Sequence, residues 1–266
     1  MTPQAAAGSG PAGVAHITSR DNPVVKELRK LSRDSTAYRK LGRVWVEGGH
    51  LCGAALQRGL KPVLAVVSQS NWPIALAGYA KIAIKTVVLP DRIFQDISAL
   101  ESPSGMGFVV ALPDQAGLLA QTPTVILDRV QDAGNVGSIL RSAAAFGVGQ
   151  VLALKGTAAL WSPKVLRAGM GAHFGLRLVE GLDTADLDAL AMPLLVTSSH
   201  VGQLLQAQAL PSPGAWVFGH EGQGVCDELM ARASLSVRIG QPGGEESLNV
   251  AAAAAICLHA GAIGSI

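Results

Sequence analysis

Polar and charged side chains stand beside glycines in three short motifs of the second half of the chain. The motifs are Asp-Ala-Gly-Asn-Val-Gly-Ser-Ile-Leu-Arg (132–141), Phe-Gly-His-Glu-Gly-Gln-Gly (218–224) and Gly-Gly-Glu-Glu-Ser-Leu-Asn-Val (243–250). Each lies where an apolar strand is predicted to end or a helix to begin, which is where α/β proteins build ligand sites. The three motifs therefore predict one pocket that is assembled from distant parts of the chain.

The first motif offers an amide and a guanidinium on one predicted helix. Asn135 follows Gly134 at a strand-to-helix junction, so Asn135 or a neighbour is expected to cap the helix. Arg141 lies nearly two helical turns later, and a guanidinium can hold a phosphate through two parallel hydrogen bonds. A helix cap followed by a surface arginine explains the same residues equally well.

The second motif is a glycine-rich turn that contains a carboxylate. Gly219 and Gly222 would let a ligand approach the backbone amides closely. Glu221 could orient a substrate hydroxyl, face a cationic ligand or anchor a neighbouring loop. His220 has the chemistry of a general base, although a single histidine on a turn is more often simply exposed to solvent.

The third motif precedes a long apolar helix. Ser247 is predicted to be the N-cap of a helix over 247–259. This role leaves Asn249 unexplained, because it is a polar residue at the start of a helix made of Ala, Val and Ile. We expect Asn249 to be buried, and a buried amide needs partners, so a ligand or another loop should meet it.

Alternating strands and helices position these motifs and predict an α/β fold with a parallel sheet in the second half. We predict a flexible tail over 1–13, a first domain over 14–112, a linker over 113–123 and a second domain over 124–266. In the first domain, strands are predicted at 44–46, 62–67, 85–89 and 107–111, and helices at 22–31, 49–58 and 92–100. In the second, strands are predicted at 124–127, 150–154, 193–197, 215–218 and 235–239, and helices at 135–146, 162–169 and 247–259.

Composition narrows the class of protein. The 266 residues are 49% hydrophobic with a net charge of only +2, which predicts a sizeable core and gives no overall signal for a polyanion. Basic residues do cluster locally, and such a cluster contacts RNA phosphates or forms the solvated face of a helix. The cluster contains Arg20, Lys26, Arg29, Lys30, Arg33, Arg39, Lys40 and Arg43.

Metal, disulfide and membrane signals are missing from the sequence. Three widely spaced cysteines and six histidines show no metal-ligand spacing, so we expect no metal and reduced thiols in a cytoplasmic protein. The apolar stretch 248–263 is shorter than the ~20 residues that a membrane span needs, so we expect a buried helix and no membrane contact.

The ordered motifs resemble the SpoU/TrmH family of RNA ribose 2′-O-methyltransferases. The resemblance is carried by Asn-x-Gly-x-x-x-Arg-x-Ala-x-x-Phe-Gly (135–147), Gly-x-Glu-Gly-x-Gly (219–224) and Ser-Leu-Asn-Val (247–250), with the segment 163–172 between them. Residues 17–26 and 46–48 resemble the family's N-terminal substrate-binding domain, which is similar to the L30e/L7Ae fold. The resemblance favours RNA as the partner of the basic cluster.

This resemblance implies a trefoil-knotted methyltransferase domain, a homodimer and S-adenosylmethionine as cofactor. By motif position it assigns the cofactor site to Thr197, Gly219, Gly222, Ile239 and Leu248. It assigns catalytic or substrate-positioning roles to Asn135, Arg141, Glu221, Ser247 and Asn249, and Arg141 also counts as an RNA contact. The implied activity is S-adenosylmethionine-dependent ribose 2′-O-methylation, with 23S ribosomal RNA favoured over transfer RNA.

The resemblance leaves the proton acceptor open. The family's arginine is proposed to activate the ribose hydroxyl, but guanidinium groups have pKa values above about 12 and rarely lose a proton. We expect Arg141 to bind the target phosphate and stabilise the developing alkoxide, while Glu221, the phosphate or water takes the proton. Alternatives are a knotted methyltransferase that acts on a base, a non-catalytic RNA-binding or ribosome-assembly protein and, more remotely, a nucleotide-dependent dehydrogenase.

Overall fold

The computed structural model describes residues 13–78, 85–113, 117–207, 210–244 and 247–263. The predicted tail over 1–13 lies outside the described residues except for Gly13, and so does part of the predicted linker. The chain divides into two compact units, Met1–Leu112 and Pro113–Ile266. Each unit contains its own sheet.

The first unit is built on a five-stranded mixed sheet in the order β1-β4-β3-β5-β2. β1, β4 and β3 run parallel, whereas β5 is antiparallel to both β3 and β2. The strands are Val14–His16 (β1), Arg43–Glu47 (β2), Leu64–Ser68 (β3), Thr86–Leu89 (β4) and Met106–Ala111 (β5). The helices are Pro23–Arg33 (α1), Ala37–Leu41 (α2), Gly49–Gln57 (α3), Trp72–Gly78 (α4) and Asp91–Ile97 (α5).

Local sequence explains the helix that carries much of the basic cluster. The Asn22 side chain accepts a hydrogen bond from the Val24 amide (2.9 Å), and Pro23 occupies the first turn, where its missing N–H costs nothing. Val25, Leu28 and Leu31 recur at helical spacing and are buried in the core of the unit. The opposite face of α1 is thereby left to charged side chains.

The second unit contains a seven-stranded, fully parallel sheet in the order β10-β12-β9-β11-β6-β7-β8. The strands are Thr124–Asp128 (β6), Gln150–Leu154 (β7), Arg177–Leu182 (β8), Leu194–Thr197 (β9), Gln203–Leu204 (β10), Ala215–Gly219 (β11) and Leu235–Arg238 (β12). The helices are Ala133–Ala145 (α6), Pro163–Gly169 (α7), Asp227–Ala231 (α8) and Val250–Ile263 (α9). The predicted α/β class with a parallel sheet is confirmed, and the knot implied by the resemblance stays a prediction.

Strand order, rather than chain order, brings the motifs together. β6 pairs with β11, although β7 to β10 lie between them in the chain. A Cβ at Gly137 would stand 2.3 Å from the Ala168 Cβ, so α6 and α7 approach closely only because Gly137 has no side chain.

The structure corrects several predicted elements. β1, α2, α4, β8, β10 and α8 were not expected from the sequence, because they are short or weakly patterned. β8, for example, contains Glu180 and Gly181, which interrupt its apolar pattern. The last helix begins at Val250 and ends at Ile263, not at 247 and 259.

Candidate active site

Three neighbouring strands of the second unit end at one edge of the sheet and carry predicted cofactor residues there. Thr197 ends β9, Gly219 ends β11, and Ile239 directly follows β12. The strands are adjacent and parallel, so their carboxyl ends meet. β6 lies on the other side of β11 and pairs its last residue, Asp128, with Gly219. This edge is where parallel α/β sheets bind ligands.

A chain of hydrogen bonds joins all three motifs at this edge. The Glu221 carboxylate accepts from the Asn135 side-chain amide (3.0 Å) and from the backbone amides of Asp132 (3.1 Å) and Gln131 (3.2 Å). Asn135 in turn accepts from the Asn249 side-chain amide through its Oδ1 (2.9 Å). The predicted convergence of the motifs is therefore present in the structure as direct contacts between their side chains.

Glu221 is held as an anion. Partial desolvation of its carboxylate raises the pKa, but the hydrogen bonds from Asn135, Asp132 and Gln131 favour the charged form and outweigh that effect. The pKa of Glu221 therefore lies below its ordinary value. Because both carboxylate oxygens already accept hydrogen bonds, this group anchors a neighbouring loop, which was one of its three expected roles.

Asn249 has partners, as expected, but it is not buried. Its Oδ1 accepts from the amides of Ala251 (2.9 Å) and Ala252 (3.3 Å), so it caps α9 while its Nδ2 reaches Asn135. The predicted cap at Ser247 is wrong, because the helix begins three residues later than expected. Ser247 is exposed and lies beside the edge without a hydrogen bond to the described residues.

Asp132, three residues before Asn135, caps α6. Its carboxylate accepts from the Asn135 backbone amide (2.8 Å), which leaves the Asn135 side chain available to Glu221 and Asn249. Arg141 lies farther along α6 and is exposed. Within the described part of the chain it forms no hydrogen bond or ion pair, so its guanidinium remains available to a ligand.

His220 stabilises the turn itself. Its Nδ1 accepts from the amides of Gly222 (3.0 Å) and Gln223 (3.2 Å), and its backbone forms a pair of hydrogen bonds with Gly224. These two hydrogen bonds use the Nδ1 lone pair inside the turn. The Gly222 amide is likewise used inside the turn.

The two predicted cofactor glycines differ in their surroundings. A Cβ at Gly219 would lie 2.2 Å from backbone atoms of Gly224 and Val225, so the return of the turn onto β11 requires glycine there. A Cβ at Gly222 would meet only the His220 ring, at 3.8 Å. Nothing in the packing requires glycine at 222.

The other predicted cofactor residues offer a ligand either a hydroxyl or an apolar side chain. The Thr197 hydroxyl donates to the Val217 carbonyl (2.8 Å), which orients it at the end of β9. Ile239 is half-buried, and Leu248 is 39% exposed, which makes it an apolar surface in the loop before α9. Gln241 was not singled out from the sequence, yet its Oε1 is buried and meets no donor among the described residues.

A charged pair at the end of β6 was also missed. Asp128 is buried and forms an ion pair with Arg129 (2.8 Å), which reaches back to Gln223 in the glycine-rich turn. The sequence carries one signal for this pair: two charged residues directly follow an apolar run that is predicted to be a buried strand.

Three of the eight residues of the basic cluster in the first unit form ion pairs with acidic neighbours. Ion pairs join Arg20 to Asp96 (2.7 Å) and Arg43 to Glu27 (3.0 Å), and Lys26 pairs with Asp21. Such exposed pairs contribute about 0–1 kcal/mol each, so they leave the side chains able to exchange partners. Arg33 donates to a backbone carbonyl and Arg39 lies against the Tyr38 ring, while Arg29, Lys30 and Lys40 complete the cluster.

The described residues offer neither a metal site nor a membrane span. No three of their His, Cys, Asp or Glu side chains are grouped in a way that could hold a metal ion. Their helices are too short or too polar to cross a bilayer. The edge itself presents side-chain amides, a carboxylate and backbone groups.

The second unit is an α/β fold, and its parallel sheet collects these polar groups at the carboxyl ends of the strands. Parallel sheets bind ligands at that edge. Residues 122–259 match the model of the SpoU rRNA Methylase family. The chain belongs to this family, which confirms the resemblance seen in its motifs.

Individual relatives extend the similarity over both units. The chain is 29% identical to the Bacillus subtilis 23S rRNA (guanosine(2553)-2′-O)-methyltransferase RlmP, over 91% of this chain and 97% of that protein. A putative RNA methyltransferase of the TrmH family from Porphyromonas gingivalis is 31% identical with a TM-score of 0.78, covering 89% of this chain and 96% of that one. The fold is also shared with an AdoMet-bound rRNA methyltransferase from Sinorhizobium meliloti (TM-score 0.83, 24% identity, 96% and 100% coverage).

Proposed function

We propose that this protein transfers a methyl group from S-adenosylmethionine to a ribose 2′-hydroxyl of 23S ribosomal RNA. The observation that carries the proposal is the hydrogen-bond chain Glu221–Asn135–Asn249, which joins the three motifs into one site at the carboxyl edge. Family membership and the relative from Bacillus subtilis, which is named for this reaction and matches along nearly its whole length, support the assignment.

The residues at the edge fit the cofactor. Thr197, Gly219 and Ile239 stand on adjacent strand ends, and Gly222 and Leu248 complete the set assigned by motif position. S-Adenosylmethionine has N–H and O–H donors along its length and an apolar face on its adenine. The buried Gln241 Oε1 needs a donor, because an unpaired buried acceptor costs about 1–3 kcal/mol. The half-exposed Leu248 offers an apolar surface to the ring.

The cofactor supplies an activated methyl group on sulfur, so the protein has mainly to orient the ribose and help its hydroxyl lose a proton. Asn135 and Asn249 hold the α6 and α9 starts in one geometry through their shared hydrogen bond. Arg141 binds the phosphate next to the target ribose and stabilises negative charge on the 2′-oxygen. Because Glu221 already accepts three hydrogen bonds and its pKa is lowered, we assign the proton to the RNA phosphate or to water.

The first unit is proposed to bind RNA as an L30e-like domain. Three of its basic side chains, Arg20, Lys26 and Arg43, form weak exposed ion pairs, which phosphates can replace while releasing counterions. A homodimer through the second unit is part of the proposal and rests on the resemblance to the family alone. The ribosomal substrate would place the protein in the cytoplasm.

Maps of 2′-O-methylation in total RNA, with and without the gene, test the proposed function. We expect one ribose in 23S ribosomal RNA to lose its methyl group, and the purified protein to restore it with S-adenosylmethionine. A change confined to transfer RNA, or a methylated base in the product nucleosides, would identify one of the other methyltransferases. No change in either, together with no binding of S-adenosylmethionine in calorimetry, would leave an RNA-binding protein without catalysis.

A further inference from the structure

Asp128 and Arg129 form a charged pair at the end of β6, directly beside the glycine-rich turn. Asp128 is 1% exposed. Its carboxylate accepts from Arg129 Nε (2.8 Å) and Nη2 (3.2 Å), and also from the backbone amide of Cys226 (2.7 Å). Asp128 therefore binds both its own neighbour and the segment that follows the turn, 98 residues away.

Arg129 extends this connection to the turn itself. Its Nη1 donates to the Gln223 side chain (2.8 Å), and its Nη2 lies 3.5 Å from the Gly224 carbonyl. The Arg129 backbone has φ = 60°, a left-handed conformation that costs a residue with a side chain roughly 1–2 kcal/mol. Thr157 stabilises it by accepting from the Arg129 amide (3.1 Å).

The pair also explains how a buried carboxylate is tolerated. Burial raises the pKa of Asp128, but the hydrogen bonds from Arg129 and Cys226 favour the charged form and outweigh it, so the pKa lies below its usual range. A buried charge with several donors is stable only while the donors stay in place. The turn and its return segment are therefore bound to a fixed point on the sheet.

Glu221 lies in the middle of this turn, and both ends of the turn are held in place. At one end Gly219 pairs with Asp128 in the sheet, and at the other Gln223 and Gly224 are held by Arg129. Glu221 must project from this turn to meet the backbone of Gln131 and Asp132. Arg129 touches none of these partners of Glu221, but it restricts where Glu221 can stand.

We propose that Arg129 is a positioning residue that acts on methyl transfer through Glu221, by holding the turn 219–224 in place. The proposal rests on the proposed function for its kinetic consequence. Two hydrogen bonds to the turn depend on the guanidinium. Their loss corresponds to about a 10-fold fall in the single-turnover rate constant.

The decisive variant is Arg129→Gly, because glycine adopts a positive φ without strain. It removes the side chain and relieves the backbone but leaves the buried Asp128 carboxylate with only the Cys226 amide, so we expect a lower Tm and compare the rates at a temperature where both proteins are folded. Arg129→Lys should recover only part of the rate, since one ammonium cannot reach both Asp128 and Gln223. Arg232→Ala controls for the loss of an arginine of similar exposure, 28% against 31%, that also binds a carboxylate and a carbonyl, Asp188 and Thr184. It differs in that Asp188 is exposed, whereas Asp128 is buried.

A double-mutant cycle shows whether Arg129 acts through Glu221. We expect Arg129→Gly combined with Glu221→Ala to be no slower than Glu221→Ala alone, because the turn then has no carboxylate left to position. Multiplying effects, or an unchanged rate in Arg129→Gly, would overturn the proposal. So would an equal loss in Arg232→Ala, which would indicate general destabilisation.

Hydrogen exchange separates this proposal from the proposed function. Without RNA or cofactor, the amides of Gln131 and Asp132 should exchange about 10-fold faster in Arg129→Gly than in the wild type, since they donate to Glu221. Unchanged exchange at both amides would overturn the positioning role. A wild type that methylates no RNA, with faster exchange still present in the variant, would overturn the proposed function alone.

Discussion

Replacing Glu221 by glutamine and by alanine distinguishes an anchoring carboxylate from one that accepts a proton. Glu221 Oε1 accepts from Asp132 and Asn135, and Oε2 accepts from the Gln131 amide alone. Glutamine can keep both bonds to its remaining oxygen, while its NH₂ group faces the Gln131 N–H. Alanine loses all three bonds.

The magnitudes follow from this count. A hydrogen bond of this kind contributes about 1 kcal/mol net, and each 1.36 kcal/mol changes a rate tenfold. We expect Glu221→Gln, which loses one bond, to lower the rate constant by about 5-fold and Glu221→Ala, which loses three, by about 100-fold. Since the pKa of Glu221 lies below its ordinary value, the carboxylate is ionised across neutral pH and should contribute no step to the rate between pH 6 and 9.

The assay is single-turnover transfer of a labelled methyl group from S-adenosylmethionine to ribosomal RNA from a strain that lacks the gene. Glu228→Gln, which alters an exposed carboxylate of α8, serves as the matched control and should keep the wild-type rate. A glutamine variant as slow as the alanine variant, with a changed pH profile, would show that Glu221 accepts the proton. Near-full turnover in Glu221→Ala would remove Glu221 from the site altogether.

Three further predictions concern the cation, the turn and the buried histidine. Arg141→Lys should slow single-turnover transfer by about 10-fold without moving its pH profile, because lysine cannot bind a phosphate through two parallel hydrogen bonds. Full recovery of the rate at higher pH would instead indicate that residue 141 acts as a titrating base. Gly219→Ala should weaken calorimetric binding of S-adenosylmethionine at least 10-fold, because the new Cβ would overlap the backbone of the turn. Gly222→Ala should bind the cofactor nearly as the wild type does. Equal losses in the two variants would contradict the packing difference between the two glycines. Burial lowers the pKa of His173 to about 4, with a smaller opposing effect from its hydrogen bond to Leu160. As pH falls below about 6.5, His173 therefore binds a proton in the unfolded chain but not in the folded one. The free energy of unfolding in urea should therefore fall by about 2 kcal/mol from pH 7 to pH 5, and His173→Gln should lose this dependence; an unchanged slope in that variant would place its origin elsewhere.

Much of the local structure is predictable from neighbouring residues. Asn22 and Pro23 mark the start of α1, and Ser162 with Pro163 marks that of α7, because caps and first-turn prolines act within three or four positions. The apolar runs of the second unit predict its parallel strands for the same reason. The three motifs also predict a single site, since each combines a strand end or helix start with polar side chains.

Other features depend on which strands become neighbours. Asn249 looks buried in sequence because its helix is apolar, but the helix start lies at the open edge of the sheet, where the amide caps α9 and reaches Asn135. The role of Glu221 was one of three possibilities until its distance from Asn135 was known.

The sequence by itself determined the α/β class and the family and predicted three motifs of the site, because these depend on residue types and on spacings within short segments. Only the tertiary structure decided their contacts. β6 lies beside β11, so Arg129 meets Gln223 from 94 residues away, and the same crossover brings Glu221 to α6. No local preference encodes such a meeting, because it depends on how the chain returns to the sheet after four intervening strands.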